Sequence, residues 1–321
     1  MVSLCFAVLL VLASPTRQVP APSAAEKFWI AGRYDGNKVI VYFDKVAFGS
    51  APIAGATKLP FPVADRFFSV VALPEAYVTQ LQKAPTAEHF KLGDRYDLLL
   101  EGGFVESFTL TTLVGFQNNE GSGNDSYIGA LGTMDREGAL LFRENYFVAT
   151  RQAGRSAIAA RYPLTASRVR QPVPFEIETQ IASRMRERVA AEPRLSVSPE
   201  ARSLSPAFVI EPFTVSDGSL RYHVRAEWRE GRESDYGLRH AFAAWMTPSP
   251  TLRILATEQL SFGPDANIEE ELLTVVDLGQ GRTGAVISTT ASAGRATILV
   301  EYRDGVPRSQ MRVLQTIAAG D

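Results

Sequence analysis

The residue types that most often carry out chemistry are few and scattered in this chain. Its 321 residues include three histidines, His89, His223 and His240, and no two of them stand at the spacing of metal ligands. The single cysteine, Cys5, lies in an apolar N-terminal run, where a reactive thiolate is not expected. Neither the G-x-S-x-G motif of serine hydrolases nor the phosphate-binding loop G-x-x-x-x-G-K-[ST] occurs. The sequence therefore predicts no metal site, no cofactor and no catalytic residue set.

Carboxylates are the one catalytic residue type present in quantity, with 35 aspartates and glutamates in the chain. A pair of carboxylates is the machinery of glycoside hydrolysis, so a hydrolase of that kind stays open as an alternative. Asp94, Asp97 and Glu101 are the candidates for such a pair. They lie in or beside a predicted strand, and we expect them on its solvated face, where charged side chains usually stand.

The densest cluster of turn-forming residues lies within residues 115–135, between strand-like segments. Asn124, Asp125 and Ser126 stand next to Tyr127 there, and these four are the predicted binding residues: a small polar site beside an aromatic ring. The alternative is an ordered connection, because Asn and Asp side chains bond back to nearby backbone groups and close their own turns. A loop that is simply mobile is the third interpretation, and the sequence leaves all three open.

Residues 26–150 show the alternation and the turn signals of β-strands. The clearest hairpin joins residues 28–34 to residues 38–43 across an Asp-Gly turn. A short helix over residues 74–83, which begins at a proline, is the exception. So many strands with one short helix predict an N-terminal β domain built as an antiparallel barrel or sandwich.

One strong helix is predicted over residues 175–191, within a linker region of residues 151–205. Pro172 and Pro174 precede it, and Pro193 ends it. Apolar residues recur at every fourth position, which gives one face that we expect to pack against a sheet; a partner-binding helix is the alternative. The apolar face comprises Ile177, Ile181, Met185 and Val189, and the water-facing side includes Glu187.

Residues 206–321 return to strand patterns, which makes the predicted fold class mainly β. Eight short runs follow one another at roughly 12-residue spacing, separated by turns such as Ser216-Asp217-Gly218. This pattern predicts a C-terminal antiparallel all-β domain. The linking helix then separates two β domains.

A resemblance to a known family covers residues 270–305. An apolar strand, the segment Asp277-Leu278-Gly279-Gln280-Gly281 and a second apolar strand follow one another there. This arrangement resembles one FG-GAP-type repeat, the unit that forms β-propeller blades in secreted and cell-surface proteins. The resemblance implies a pair of blade-like hairpins. The family's calcium loop is rich in aspartate and only Asp277 matches it here, so tight calcium binding is not expected.

The first 25 residues predict export. Residues 4–13 form an apolar run that is too short to span a membrane, and a leader rich in Pro, Ala and Ser follows. We expect residues 1–25 to comprise a signal peptide and a disordered leader, and cleavage to leave a mature protein without cysteine. An exported protein without disulfides fits a bacterial periplasm or exterior.

Composition and motifs together favour a non-enzymatic protein, although catalysis stays open. The net charge is -2 and the pI is near 6.0, so a nucleic-acid partner is not expected, and no segment predicts a membrane span. We expect an exported binding or surface-interaction protein with a protein or glycan partner. A secreted carboxylate-based hydrolase and a purely structural envelope protein are the alternatives.

Overall fold

The structure, a computed structural model, describes sixteen stretches of the chain. They are residues 27–35, 37–45, 53–59, 68–83, 91–101, 105–118, 127–134, 146–151, 166–191, 206–229, 239–248, 252–262, 269–279, 281–291, 294–303 and 306–315. Within them the chain forms seventeen strands and two helices, and all strand pairings are antiparallel. The predicted mainly β class is therefore confirmed. Neither of these two helices is long and apolar enough to cross a membrane.

An eight-stranded antiparallel sheet forms the N-terminal domain. Its strands are β1 (Phe28–Asp35), β2 (Lys38–Lys45), β3 (Thr57–Leu59), β4 (Phe68–Ala72), β5 (Arg95–Leu99), β6 (Val105–Asn118), β7 (Tyr127–Met134) and β8 (Tyr146–Arg151). Six of them close on themselves in the order β6-β5-β8-β1-β2-β7, because β6 pairs with β7 as well as with β5. The sequence predicted either a barrel or a sandwich for this domain, and the closure of the sheet shows that it is a barrel.

Aromatic side chains fill the interior of the barrel. Trp29 lies 5.4 Å from Phe43 and 5.8 Å from Tyr96 between ring centroids, and Tyr96 lies 5.6 Å from Phe108. Alternation along each strand sends these side chains inward, and a ring of so few strands is narrow enough for side chains to fill. Helix α1 (Glu75–Gln82) adds three side chains to this core, those of Tyr77, Val78 and Leu81.

Strand β7 runs so close to its neighbours that two of its positions have no room for a side chain. A Cβ on Gly129 would overlap the carbonyl oxygen of Val41, and one on Gly132 would overlap the ring of Phe108. Glycine within a strand often marks such a close approach. The apolar part of residues 115–135 therefore forms strand β7 in the wall of the barrel.

A second sheet has the strand order β13-β12-β11-β10-β9. Its strands are β9 (Ser167–Arg168), β10 (Ala207–Thr214), β11 (Leu220–Arg229), β12 (Arg239–Thr247) and β13 (Arg253–Phe262). Because β9 precedes the linking helix in the chain, the second sheet is built from both sides of that helix.

Helix α2 (Phe175–Ala191) has the predicted bounds and covers one face of the second sheet. Ile181 and Met185 are fully buried against side chains such as Tyr222, Val224 and Phe242. The prediction that this apolar face packs on a sheet is confirmed. Glu187 is exposed, as predicted, with 58% of its side chain accessible.

A third sheet is a meander of four strands in the order β14-β15-β16-β17. They are β14 (Glu269–Gly279), β15 (Arg282–Ala291), β16 (Gly294–Arg303) and β17 (Val306–Gln315). One face packs Val276, Leu278 and Val286 on the outside of the barrel. The other face packs against Phe213 and Trp245 of the second sheet. The layers thus run from helix α2 through the second and third sheets to the barrel.

Three details differ from the sequence-based expectations. Strand β3 is not among the strands predicted from the sequence, and β9 lies in the predicted linker region. Both strands are too short to show a periodic pattern in the sequence. The structure identifies β3 by its pairing with β4 and β9 by its pairing with β10. Strand β6 continues to Asn118, inside the stretch predicted to be rich in turns, because Gln117 and Asn118 pair with β4.

Candidate functional site

Two groups of charged residues stand out, and both belong in part to the second sheet. The first is the buried charge cluster, which consists of Glu211, His223 and Glu270. The second is the arginine groove, an open depression beside helix α2. Its lining residues are Arg184, Glu187, Arg188, Leu252, Arg253 and Ile254. The two groups differ in accessibility, which determines what each can do.

His223 is the centre of the buried charge cluster. Its Nδ1 lies 2.8 Å from Oε2 of Glu211, and its Nε2 lies 2.6 Å from Oε1 of Glu270. The ring of Trp245 packs beside it, 4.7 Å away between centroids. Ionised carboxylates only accept hydrogen bonds, so both ring nitrogens donate and the ring is an imidazolium. The cluster therefore contains one cation between two anions.

Burial by itself disfavours the charged imidazolium, since His223 has no exposed surface. The hydrogen bonds from Glu211 and Glu270 outweigh that effect, and the attraction of the two carboxylates adds to them, so the pKa of His223 rises from 6.5 to about 9. The ring consequently stays protonated at neutral pH.

The cluster joins two sheets. Glu211 lies on β10 directly across from His223 on β11, in the same sheet. Glu270 comes from β14 of the third sheet. Glu211 also accepts the backbone N–H of Leu272, at 3.1 and 3.2 Å from its two carboxylate oxygens. Charge therefore ties the second sheet to the third at this position.

A second ion pair extends the connection to the barrel. Arg168 on β9 donates from Nη2 to Oε2 of Glu101 at 2.7 Å and from Nε at 3.0 Å to both carboxylate oxygens. Its Nη1 also donates to the carbonyl of Leu272 at 3.3 Å. Glu101 follows β5 of the barrel, so this pair links the barrel, the second sheet and the third sheet.

The buried charge cluster is closed to ligands. The side chains of His223 and Glu270 are 0% and 1% exposed, and that of Glu211 is 24% exposed. Both imidazole nitrogens carry protons, which leaves no lone pair for a metal ion. In the part of the chain that the structure describes, no group of three or more His, Cys, Asp or Glu could hold a metal ion. The cluster is built to hold layers together.

The arginine groove is open and has a volume of about 580 Å³. Three arginines line it against one glutamate, which leaves a formal charge of +2 on its walls. Leu252 and Ile254 form an apolar floor, where they continue the packing of helix α2 on the second sheet. Guanidinium groups over an apolar floor suit a ligand that has both carboxylate and apolar groups.

Helix α2 positions two of the arginines. Arg184 and Arg188 stand four residues apart, so they lie one above the other on the same side of the helix. Glu187 lies 2.7 Å from Nη1 of Arg184 and holds that side chain at the groove. Met185, the neighbour of Arg184, is buried and fixes the rotation of the helix. The third arginine, Arg253, begins β13.

The binding residues predicted from the sequence fall largely outside the described residues. Asn124, Asp125 and Ser126 lie outside them, so the predicted polar site stays a prediction. Tyr127 is the first residue of β7, and its backbone is paired with Phe116 and Lys45.

The carboxylates considered for hydrolysis are not on a solvated face, which corrects the expectation for them. Asp97 is 1% exposed and accepts a hydrogen bond from Ser107 at 3.1 Å. Asp94 pairs with Arg151 at 2.7 Å, and Glu101 pairs with Arg168. Because Tyr96 and Leu98 on either side of it point into the barrel, Asp97 lies on the outer face of β5, the face where Leu99 contacts the third sheet. There the hydroxyl of Ser107 on the neighbouring strand compensates for its burial.

Asp277 lies at the end of the β14–β15 hairpin, where the FG-GAP-type resemblance would place a calcium ligand. Its Oδ1 accepts the backbone N–H of Gly279 at 2.7 Å, and the residue is 3% exposed. Gly279 and Gly281 both have positive φ, 78° and 73°, which favours glycine at these positions. The carboxylate therefore closes its own turn.

Comparison of the chain with protein-family models, with curated proteins and with solved structures gives no match. The function is therefore inferred from the geometry of the two charged groups.

Proposed function

We propose that this protein is an exported, non-enzymatic binding protein that holds an anionic ligand in the arginine groove. The observation that carries the proposal is the groove itself, which three arginines of α2 and β13 line together with two apolar residues. Arginine suits this role because its planar guanidinium remains charged and pairs with a carboxylate through two hydrogen bonds.

The setting of the carboxylates supports binding over hydrolysis. Asp94, Asp97 and Glu101 each have a partner within the protein, and the carboxylates beside His223 share a buried cation. A glycoside hydrolase requires a free acid and a free base or nucleophile on both sides of an accessible bond. The hydrolase therefore remains the alternative, without a specific observation in its favour.

Export is part of the same proposal and rests on the apolar run of residues 4–13. The FG-GAP-type resemblance of residues 270–305 agrees with a role at or outside the cell envelope, in the periplasm or extracellular space of a bacterium. Expressed in its own host, the protein is expected to lose an N-terminal segment within residues 1–25. N-terminal sequencing that finds Met1 in a cytoplasmic fraction would contradict this part of the proposal.

The binding proposal is tested on a combined peptide and glycan array. We compare the wild type with the double variant Arg184→Ala/Arg253→Ala and with the control Arg170→Ala/Arg308→Ala, whose positions are exposed and outside the groove. We expect the wild type and the control to bind anionic members of the array, and the groove variant to lose them. Binding to neutral members alone, or anionic binding that the groove variant retains, would refute the proposal. Cleavage of any array member would favour the hydrolase.

A further inference from the structure

We propose that the ligand of the arginine groove is an acidic stretch of polypeptide that pairs with β13 as an added strand. This inference rests on the proposed function and narrows it to one class of ligand. Its first support is the position of the groove at the margin of the second sheet. Strand β13 ends the sheet, and among the described strands only β12 pairs with it. A strand edge of this kind presents backbone N–H and C=O groups to an incoming chain.

The second support is the distribution of charge around that edge. Leu252 and Ile254 pack toward helix α2, so Arg253 between them points to the opposite face of the sheet. A strand added beside β13 would then meet Arg184 and Arg188 on its helix side and Arg253 on its other side. Acidic side chains on both faces of the added strand would each find a guanidinium group.

The third support is the composition of the groove, which distinguishes a peptide from other anions. Arg184 and Arg188 are about 6 Å apart along the helix, and Arg253 stands on a different element, so one phosphate ion cannot contact all three. Extended polyanions such as heparin need a large positive field, whereas this chain has a net charge of -2. The apolar floor adds a contact for aliphatic side chains, which heparin lacks.

The test uses a capped eight-residue peptide in which pairs of glutamates alternate with pairs of valines, so that each face carries both residue types. Its affinity for the full-length protein is measured by titration calorimetry. Heparin oligosaccharide and inorganic phosphate serve as the other two probes. A second peptide of the same sequence carries a methyl group on every backbone nitrogen, which keeps the charges and removes the donors of strand pairing.

We expect the first peptide to bind, and Arg253→Ala to weaken it roughly ten-fold or more, while Arg170→Ala leaves it unchanged. We also expect the methylated peptide to bind roughly ten-fold more weakly or worse. Equal binding of the two peptides would overturn strand addition and leave the proposal of an anion-binding groove intact. Tighter binding of heparin or phosphate than of the peptide would overturn the class of ligand. Peptide binding that is insensitive to Arg253→Ala would overturn both this inference and the proposed function.

Discussion

The buried charge cluster and the arginine groove use the same kinds of side chain in opposite settings. In the cluster, His223 is enclosed between Glu211 and Glu270, and its charge is neutralised within the protein. In the groove, arginines outnumber glutamate three to one, and nearly half of the Arg184 side chain is exposed. Charge that is enclosed and paired holds sheets together, whereas the charge of the groove faces solvent.

The difference follows from which layer covers each site. The third sheet covers the face of the second sheet that carries His223, and it supplies a carboxylate from its own strand β14. Helix α2 covers the opposite face but leaves the start of β13 open beside Arg184 and Arg188. Variants in the cluster should therefore change stability without changing ligand affinity, and variants in the groove should do the reverse.

The largest effect is expected from Glu270→Ala, which removes one of the two carboxylates that hold His223. The variant leaves the buried Nε2–H of His223 without its acceptor and with one carboxylate in place of two, and breaking a buried pair costs about 3–5 kcal/mol. Urea unfolding measures the loss. The matched control is Glu271→Ala, at the next position on β14, where the side chain is exposed and a change within about 0.5 kcal/mol is expected. Equal effects of the two variants would mean that the cluster does not stabilise the fold.

A similar loss is expected from Met185→Ala, on the helix that carries the groove. Met185 is fully buried among side chains of the second sheet, so truncation leaves a cavity and costs about 2–5 kcal/mol. Glu187→Ala, two residues further and exposed, should change stability by no more than about 0.5 kcal/mol. If denaturant melts show equally small effects for the two variants, the apolar face of α2 does not pack as described.

The pH dependence of stability separates the two regions without mutation. Since the pKa of His223 is raised from 6.5 to about 9, its contribution to stability is complete below pH 6.5 and is lost as the pH rises through 9. The difference corresponds to about 3 kcal/mol. Urea unfolding of the wild type between pH 6 and pH 10 should show this decline, and His223→Gln should flatten it. A wild-type stability that is constant over this range would contradict the imidazolium assignment.

The smallest effect on stability is expected in the groove. Arg253→Ala removes a side chain from an exposed position and should change the free energy of unfolding by no more than about 0.5 kcal/mol. Thermal and urea melts of this variant should overlay those of the wild type. A loss of several kcal/mol would show that the groove arginines serve the fold and would remove the contrast with the cluster.

Much of the fold could be predicted from local patterns. Helix α2 has the predicted bounds because prolines flank it and its apolar residues recur every four positions. The eight strands predicted in the C-terminal domain are present as β10 to β17. Two of the three residues of the buried charge cluster could also be placed from the sequence. Glu211 and His223 stand six residues on each side of Asp217, so the predicted turn there places them opposite one another.

The rest of both sites depends on contacts that no local pattern contains. Glu270 is 47 residues from His223 and reaches it from another sheet. Arg253 is separated from the groove arginines of α2 by three intervening strands, β10 to β12, and comes near them through the packing of the helix on the second sheet. The burial of Asp97 likewise depends on a distant contact, because it lies on the outer face of β5, the face where Leu99 packs against the third sheet.

The most direct measurement compares Glu270→Ala with Arg253→Ala in two assays, urea unfolding and titration with the capped glutamate–valine peptide. We expect Glu270→Ala to lose about 3–5 kcal/mol of stability while its folded form binds the peptide within about two-fold of the wild type. We expect Arg253→Ala to keep its stability and to bind the peptide roughly ten-fold more weakly or worse. Loss of stability in Arg253→Ala together with unchanged peptide affinity would contradict the division of charge between fold and ligand.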